Sequence, residues 1–157
     1  MVIPFEVSAA DLNLADTAGY TLYSFSSSNL LKVPIRLELC KDAGTAYTVT
    51  APQYVVRKVE YFQASVDNYA EQFQGGSFLI VESRDAQGRS KPLFVTPLTG
   101  FLDSASEERR LVFPCCVGDT YRAGATSIVL RTTVNVASGT GSLKGRLYID
   151  ELPIGGF

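Results

Sequence analysis

An all-β chain folded as an antiparallel β-sandwich of jelly-roll type, with one or two short helical turns, is what this sequence predicts. Three observations predict it. Apolar and polar residues alternate with period two in segment after segment, as in strands that bury one face. Clusters of Gly, Ser, Asn and Asp punctuate those segments at short intervals. Hydrophobic residues are 46% and charged residues 19% of the 157 positions, enough apolar material for one core without metal or disulfide support. A single domain over residues 1–157 is expected, with an extended apolar arm at 1–10 and an apolar tail at 151–157.

The elements follow in order. Residues 1–7 are apolar and extended, with Pro4 inside. Residues 11–19 read as a loop, with a short turn near Asp11 and Leu12. Tyr20, Leu22 and Ser24 alternate with Thr21, Tyr23 and Phe25, a strand ended by the 26–29 Ser/Asn cluster. Residues 31–40 give the clearest alternation: Leu31, Val33, Ile35, Leu37 and Leu39 share one face, with Lys32, Pro34, Arg36 and Glu38 on the other. Pro34 cannot donate to a ladder, so this strand is either an edge or bulged there. The turn at 41–44 lets residues 47–50 return as the second arm of a hairpin.

Residues 54–66 form a strand with mixed faces, and 67–74 a short helix capped by Asp67 and stopped by Gly75. Residues 78–82 read as a central strand, apolar from Phe78 to Val81. A turn around Gly88 leads to a return strand at 93–96. Ser104 and Glu107 match a capping box for one helical turn, and residues 110–113 resume a strand that Pro114 ends. The alternations at 128–136 and 143–149, separated by 138–142, read as a hairpin. The total is about eight to ten strands, the range of a jelly roll.

The chemistry is bounded mainly by what is missing. The chain has no histidine. That removes the commonest general base near neutral pH, along with Ser-His-Asp and Cys-His pairs. The three cysteines, Cys40, Cys115 and Cys116, do not supply a zinc site and are read as reduced, buried thiols. Glu82, Asp103 and Asp119 are the carboxylates weighed for glycoside hydrolysis, and surface roles are preferred for them. Asp67, Asn68 and Asp85 are too sparse for a calcium loop. Gly75, Gly76, Gly139 and Gly141 read as turn residues rather than a phosphate cradle. No catalytic residue, cofactor or metal is expected, and no enzymatic activity.

A net charge of −2 with no basic stripe argues against direct nucleic-acid binding. No apolar run reaches membrane-span length, and residues 1–6 lack the features of a signal peptide, so synthesis in a cytoplasm is expected. The eight tyrosines and nine phenylalanines serve packing first and interfaces second. The apolar ends are the candidate partner-binding residues: Val2, Ile3 and Phe5 as a docking arm, Ile154 and Phe157 as a second anchor.

A small, histidine-free, all-β chain with an apolar N-terminal arm and the 128–136/143–152 hairpin resembles the decoration, or cement, proteins of tailed-bacteriophage capsids. That resemblance implies a sandwich that forms homotrimers on the outer capsid surface of a virion and staples neighbouring major capsid proteins together. A tail or baseplate component, or a carbohydrate-binding β-sandwich, are the alternative expectations.

Overall fold

The computed structural model describes residues 1–12, 19–25, 30–49, 78–87, 90–98, 100–102, 108–114, 125–132 and 136–153. Ten strands lie among them: β1 Val2–Val7, β2 Tyr20–Ser24, β3 Leu30–Lys41, β4 Ala46–Val49, β5 Phe78–Asp85, β6 Ser90–Pro97, β7 Arg109–Pro114, β8 Ala125–Thr132, β9 Val136–Thr140 and β10 Leu143–Pro153. One 3₁₀ turn, Ala10–Leu12, follows β1. Its Asp11 carboxylate accepts from the Ser8 N–H at 2.8 Å and from the Ser8 hydroxyl at 3.0 Å. No helix among the described residues is long and apolar enough to cross a membrane.

Two four-stranded antiparallel sheets pack face to face. Sheet A has the order β1-β10-β3-β7 and sheet B the order β2-β8-β5-β6. With β4 and β9 set aside, the pairs are first with last (β1 and β10), second with seventh (β2 and β8), third with sixth (β3 and β7) and fourth with fifth (β5 and β6). This is one long antiparallel ribbon wrapped into two layers, the connectivity of a jelly roll. The expected fold class is therefore the observed one.

Period-two alternation sets the layers. In sheet A, Phe5, Val7, Leu37, Leu39, Leu143, Leu147 and Ile149 face the interior. Leu22, Leu79, Val81, Phe94, Ile128 and Leu130 face it from sheet B. Phe94 and Phe113 bridge the two sheets with ring centroids 6.3 Å apart, tilted at 56°, a favourable aromatic geometry. Sheet B is buried on its other face as well, where Ile80 and Val129 sit with Glu82 and Arg131.

Three expectations need correction. Of the two readings of Pro34 the bulge is the observed one, in an inner strand, and the first correction is the placement of Ile35 that follows from it. Tyr148 pairs with Arg36 but Ile149 pairs with Pro34, leaving Ile35 without an opposite residue. The extra residue turns Ile35 outward beside Arg36, so Ile35 is 37% exposed rather than in the core. The second is that residues 128–136 and 143–149 do not form a hairpin, because β8 belongs to sheet B and β10 to sheet A.

The third is that β4 does not return along β3. It pairs with β9, extending the β3–β10 ladder around a corner: Lys41 pairs with Leu143, and Ala46 then pairs with Thr140. Gly141 makes that corner possible, with φ of +72° and Thr45 Oγ1 only 2.4 Å from where a Cβ would stand. Tyr47 locks the corner from inside. Its hydroxyl donates to the Val7 carbonyl and accepts from the Leu143 N–H at 3.1 Å. The expected strand at 54–66, helix at 67–74 and capping box at 104–107 lie outside the described residues.

Candidate functional site

The outward face of sheet A is the open surface that the fold presents, and the strand register makes it a grid. One row across the four strands is Glu6, Lys144, Cys40 and Arg110. The next is Pro4, Arg146, Glu38 and Val112, and the third is Val2, Tyr148, Arg36 and Pro114. The β3 bulge adds Ile35 to the third row.

Among the described residues, the large hydrophobic side chains that stay exposed are Met1 (45%), Val2 (49%), Ile35 (37%) and Val112 (46%). Three lie on β1, β3 and β7, and Met1 immediately precedes β1. Scattered apolar side chains are ordinary on a surface. Their concentration on one sheet face is what marks an interaction site.

Three of the charges in this grid have partners. Glu38 Oε1 lies 2.6 Å from Arg36 Nη2, and its Oε2 accepts from the Tyr148 hydroxyl at 3.2 Å. The Arg36 guanidinium stacks over the Tyr148 ring, 5.3 Å from its centroid. Lys144 Nζ donates to Asp42 at 3.0 Å; this bond first, and the charge of Asp42 second, raises the Lys144 ammonium above its ordinary value. Farther along, Lys32 lies 2.8 Å from Glu151 and lowers that carboxyl, chiefly by the hydrogen bond.

Two concavities flank β10 on this face. One concavity of about 300 Å³ is lined by Glu38, Cys40, Arg110, Lys144, Gly145 and Arg146. Another of about 390 Å³ is lined by Pro4, Phe5, Glu6, Lys144, Gly145 and Arg146. Among the described residues each contains one carboxylate, Glu38 in the first and Glu6 in the second, not the carboxylate pair used in glycoside hydrolysis. Glu82 sits instead in the interior, bound by Arg84 and Arg131. Asp103 and Asp119 lie outside the described residues.

Cys40 is half-buried on this outward face rather than in the core. Its sulfur and the carboxylate oxygens of Asp42 and Glu108 lie within 4.8 Å of one another. Asp42 is already engaged by Lys144, so a cation would have to displace that ammonium first.

The sequence-predicted docking residues fall in different places. Val2 stands exposed on the outward face. Ile3 is half-buried and packs against the core. Phe5 is 8% exposed, with its ring against Gly145. The N-terminal segment is the edge strand of sheet A, paired with β10 from Val2–Tyr148 to Val7–Leu143. Ile154 and Phe157 lie outside the described residues. Sequence reasoning missed Ile35, Val112, Arg110 and Arg146. Val112 was detectable, because in residues 110–113 it shares a face with Arg110 while Leu111 and Phe113 point inward. Ile35 was not, because only the bulge turns it out.

No protein-family model, curated protein or solved structure matches this chain.

Proposed function

We propose that this chain is a structural virion protein, a capsid decoration protein that docks through the outward face of sheet A onto the outer shell. There it stabilises contacts between major capsid subunits. The observation that carries this reading is the gathering of exposed apolar side chains, Val2, Ile35 and Val112, on one four-stranded face. Each apolar contact they make with a partner favours docking. The jelly roll is compatible with this role, being shared by capsid and lectin domains, although a fold alone does not determine function. The mechanism is mass action: a ligand that binds only the assembled lattice stabilises the lattice.

Co-sedimentation with expanded, emptied capsid shells tests the proposal. The wild-type chain is expected to pellet with shells, and the double variant Ile35→Asp/Val112→Asp to remain in the supernatant while keeping its fold. A wild-type chain that stays in the supernatant at every shell concentration would overturn the reading.

A further inference from the structure

The geometry points to a carboxylate-binding seat on this face, between Arg110 and Arg146, that takes an acidic side chain from an apolar-flanked segment of the protein partner. The inference rests on the outward face of sheet A being the docking face, and it names the chemistry that the face recognises.

Arg110 on β7 and Arg146 on β10 flank β3. Two strand spacings across and one row along separate them, roughly 12 Å between Cα atoms, a span that two long guanidinium side chains can close from either side. Both line the concavity of about 300 Å³. Neither makes a hydrogen bond or ion pair to another described residue. The reason lies in the acids around them. Glu38, directly opposite Arg146 in the ladder, is turned toward Arg36 and Tyr148. Asp42 is taken by Lys144.

Among the described residues that line the concavity, Lys144 is bound to Asp42 and Glu38 to Arg36, so Arg110 and Arg146 are the two guanidinium groups still open to a ligand. Guanidinium forks match carboxylates in bidentate geometry.

The surroundings select the size of the ligand. Glu6 stands in the row above Arg146, and Asp42 and Glu108 are exposed near Cys40. A long polyanion would run into these acids, whereas a single carboxylate reaches only the arginines. The apolar rim of Pro4, Val112 and Pro114 is positioned to take the neighbouring side chains of such a segment.

The test is an NMR titration of the wild-type chain. It follows the arginine Nε–H resonances while a blocked peptide carrying one glutamate between leucines is added. The same peptide with glutamine is the control. The glutamate peptide is expected to shift the Arg110 and Arg146 signals to saturation, with affinity about tenfold above the glutamine peptide. Arg110→Ser/Arg146→Ser is expected to abolish that difference with an unchanged amide spectrum elsewhere.

Equal responses to both peptides would overturn the seat. Inorganic phosphate or a short DNA duplex binding as tightly as the glutamate peptide would also overturn it, in favour of a general anion site. Because the titration uses no shells, a failed seat with intact shell co-sedimentation leaves the docking face standing. A working seat with no shell binding leaves only the acidic-segment recognition.

Discussion

Arg131 Nε donates to Glu82 Oε1 at 3.0 Å, with both side chains wholly buried. Arg84 adds two further bonds to the same oxygen, at 3.0 Å and 2.8 Å. Burial lowers the Arg131 guanidinium below its ordinary value, and the charge and hydrogen bond of Glu82 oppose that shift. The pair joins adjacent strands β5 and β8 on the face of sheet B turned away from the sandwich interior. Buried ion pairs of this kind are costly to break and are of uncertain net benefit when intact.

Removing one partner should therefore cost far more than removing both. Glu82→Leu is expected to destabilise the fold by about 3–5 kcal/mol, since it leaves the wholly buried Arg131 guanidinium without its carboxylate, whereas after Arg131→Leu the Glu82 carboxylate is still held by Arg84. Glu82→Leu/Arg131→Leu should recover most of that loss. Equilibrium urea unfolding of the two single variants and the double variant checks this. A double variant as unstable as the sum of the singles would show that the pair is not coupled.

Tyr47 supplies a pH prediction. Burial raises its phenol above the ordinary value of 10.0, the Leu143 N–H opposes this, and Asp11 and Glu6 add to the rise. The folded chain thus holds this proton more tightly than the unfolded chain does. The resulting stability is complete below about pH 10, the unfolded value. It is lost as pH climbs through the higher folded value. Tyr47→Phe should cost about 1–3 kcal/mol near neutrality, by leaving the Val7 carbonyl and the Leu143 N–H without their partner. It should also show a shallower alkaline decline. Urea midpoints of both chains, measured from about pH 8 to about pH 11, compare the slopes; parallel slopes would rule out Tyr47 as the titrating group.

The same residue shows what was legible in the sequence. Strand existence was readable because period two is local: Leu37 and Leu39 point inward as expected, as do Leu143, Leu147 and Ile149. Strand partnership was not. The 138–142 cluster looks like a hairpin turn, yet it carries the chain around a corner whose geometry depends on Tyr47, Val7 and Leu143, residues far apart in sequence. Buried charge was equally hidden. The apolar run from Phe78 to Val81 marks β5 as covered on both faces, but nothing local says that Glu82 and Arg131 pair on the second of them. The candidate face was half legible, since Val2 and Val112 follow from alternation while Ile35 depends on a bulge that Pro34 only hinted at.

Gly145 and Phe5 face each other across β1 and β10. A Cβ at position 145 would stand 2.2 Å from Phe5 Cζ and 2.6 Å from the Glu38 carbonyl oxygen. Gly145→Ala is expected to destabilise by about 1–3 kcal/mol through overpacking. Phe5→Leu in the same chain should relieve the ring contact but not the carbonyl contact. The double variant should then be less destabilised than the sum of the singles by at least about 0.5 kcal/mol. Thermal denaturation of the four chains measures the coupling, and strict additivity would place the strain in the backbone contact alone.

Deleting residues 1–7 separates an arm from a structural strand. β1 contributes Phe5 and Val7 to the core and forms six paired positions with β10. The Met1 amino group also donates to the Ile149 carbonyl at 2.9 Å, and the Ile149 N–H donates back to the Met1 carbonyl at 2.9 Å. Burial of the two core side chains alone is worth about 1.5–3 kcal/mol each, a large share of the 5–15 kcal/mol typical of a whole domain. The truncated chain is therefore expected to lose cooperative unfolding in urea, so its failure to bind shells would say nothing about docking. Ile35→Asp and Val112→Asp act only at exposed positions and should leave stability within about 0.5 kcal/mol of wild type. If shell binding survives both surface changes in a folded chain, the apolar face is not the contact surface. If the truncated chain instead remains folded and cooperative, β1 is a detachable arm after all, and docking must be sought at the N-terminal segment itself.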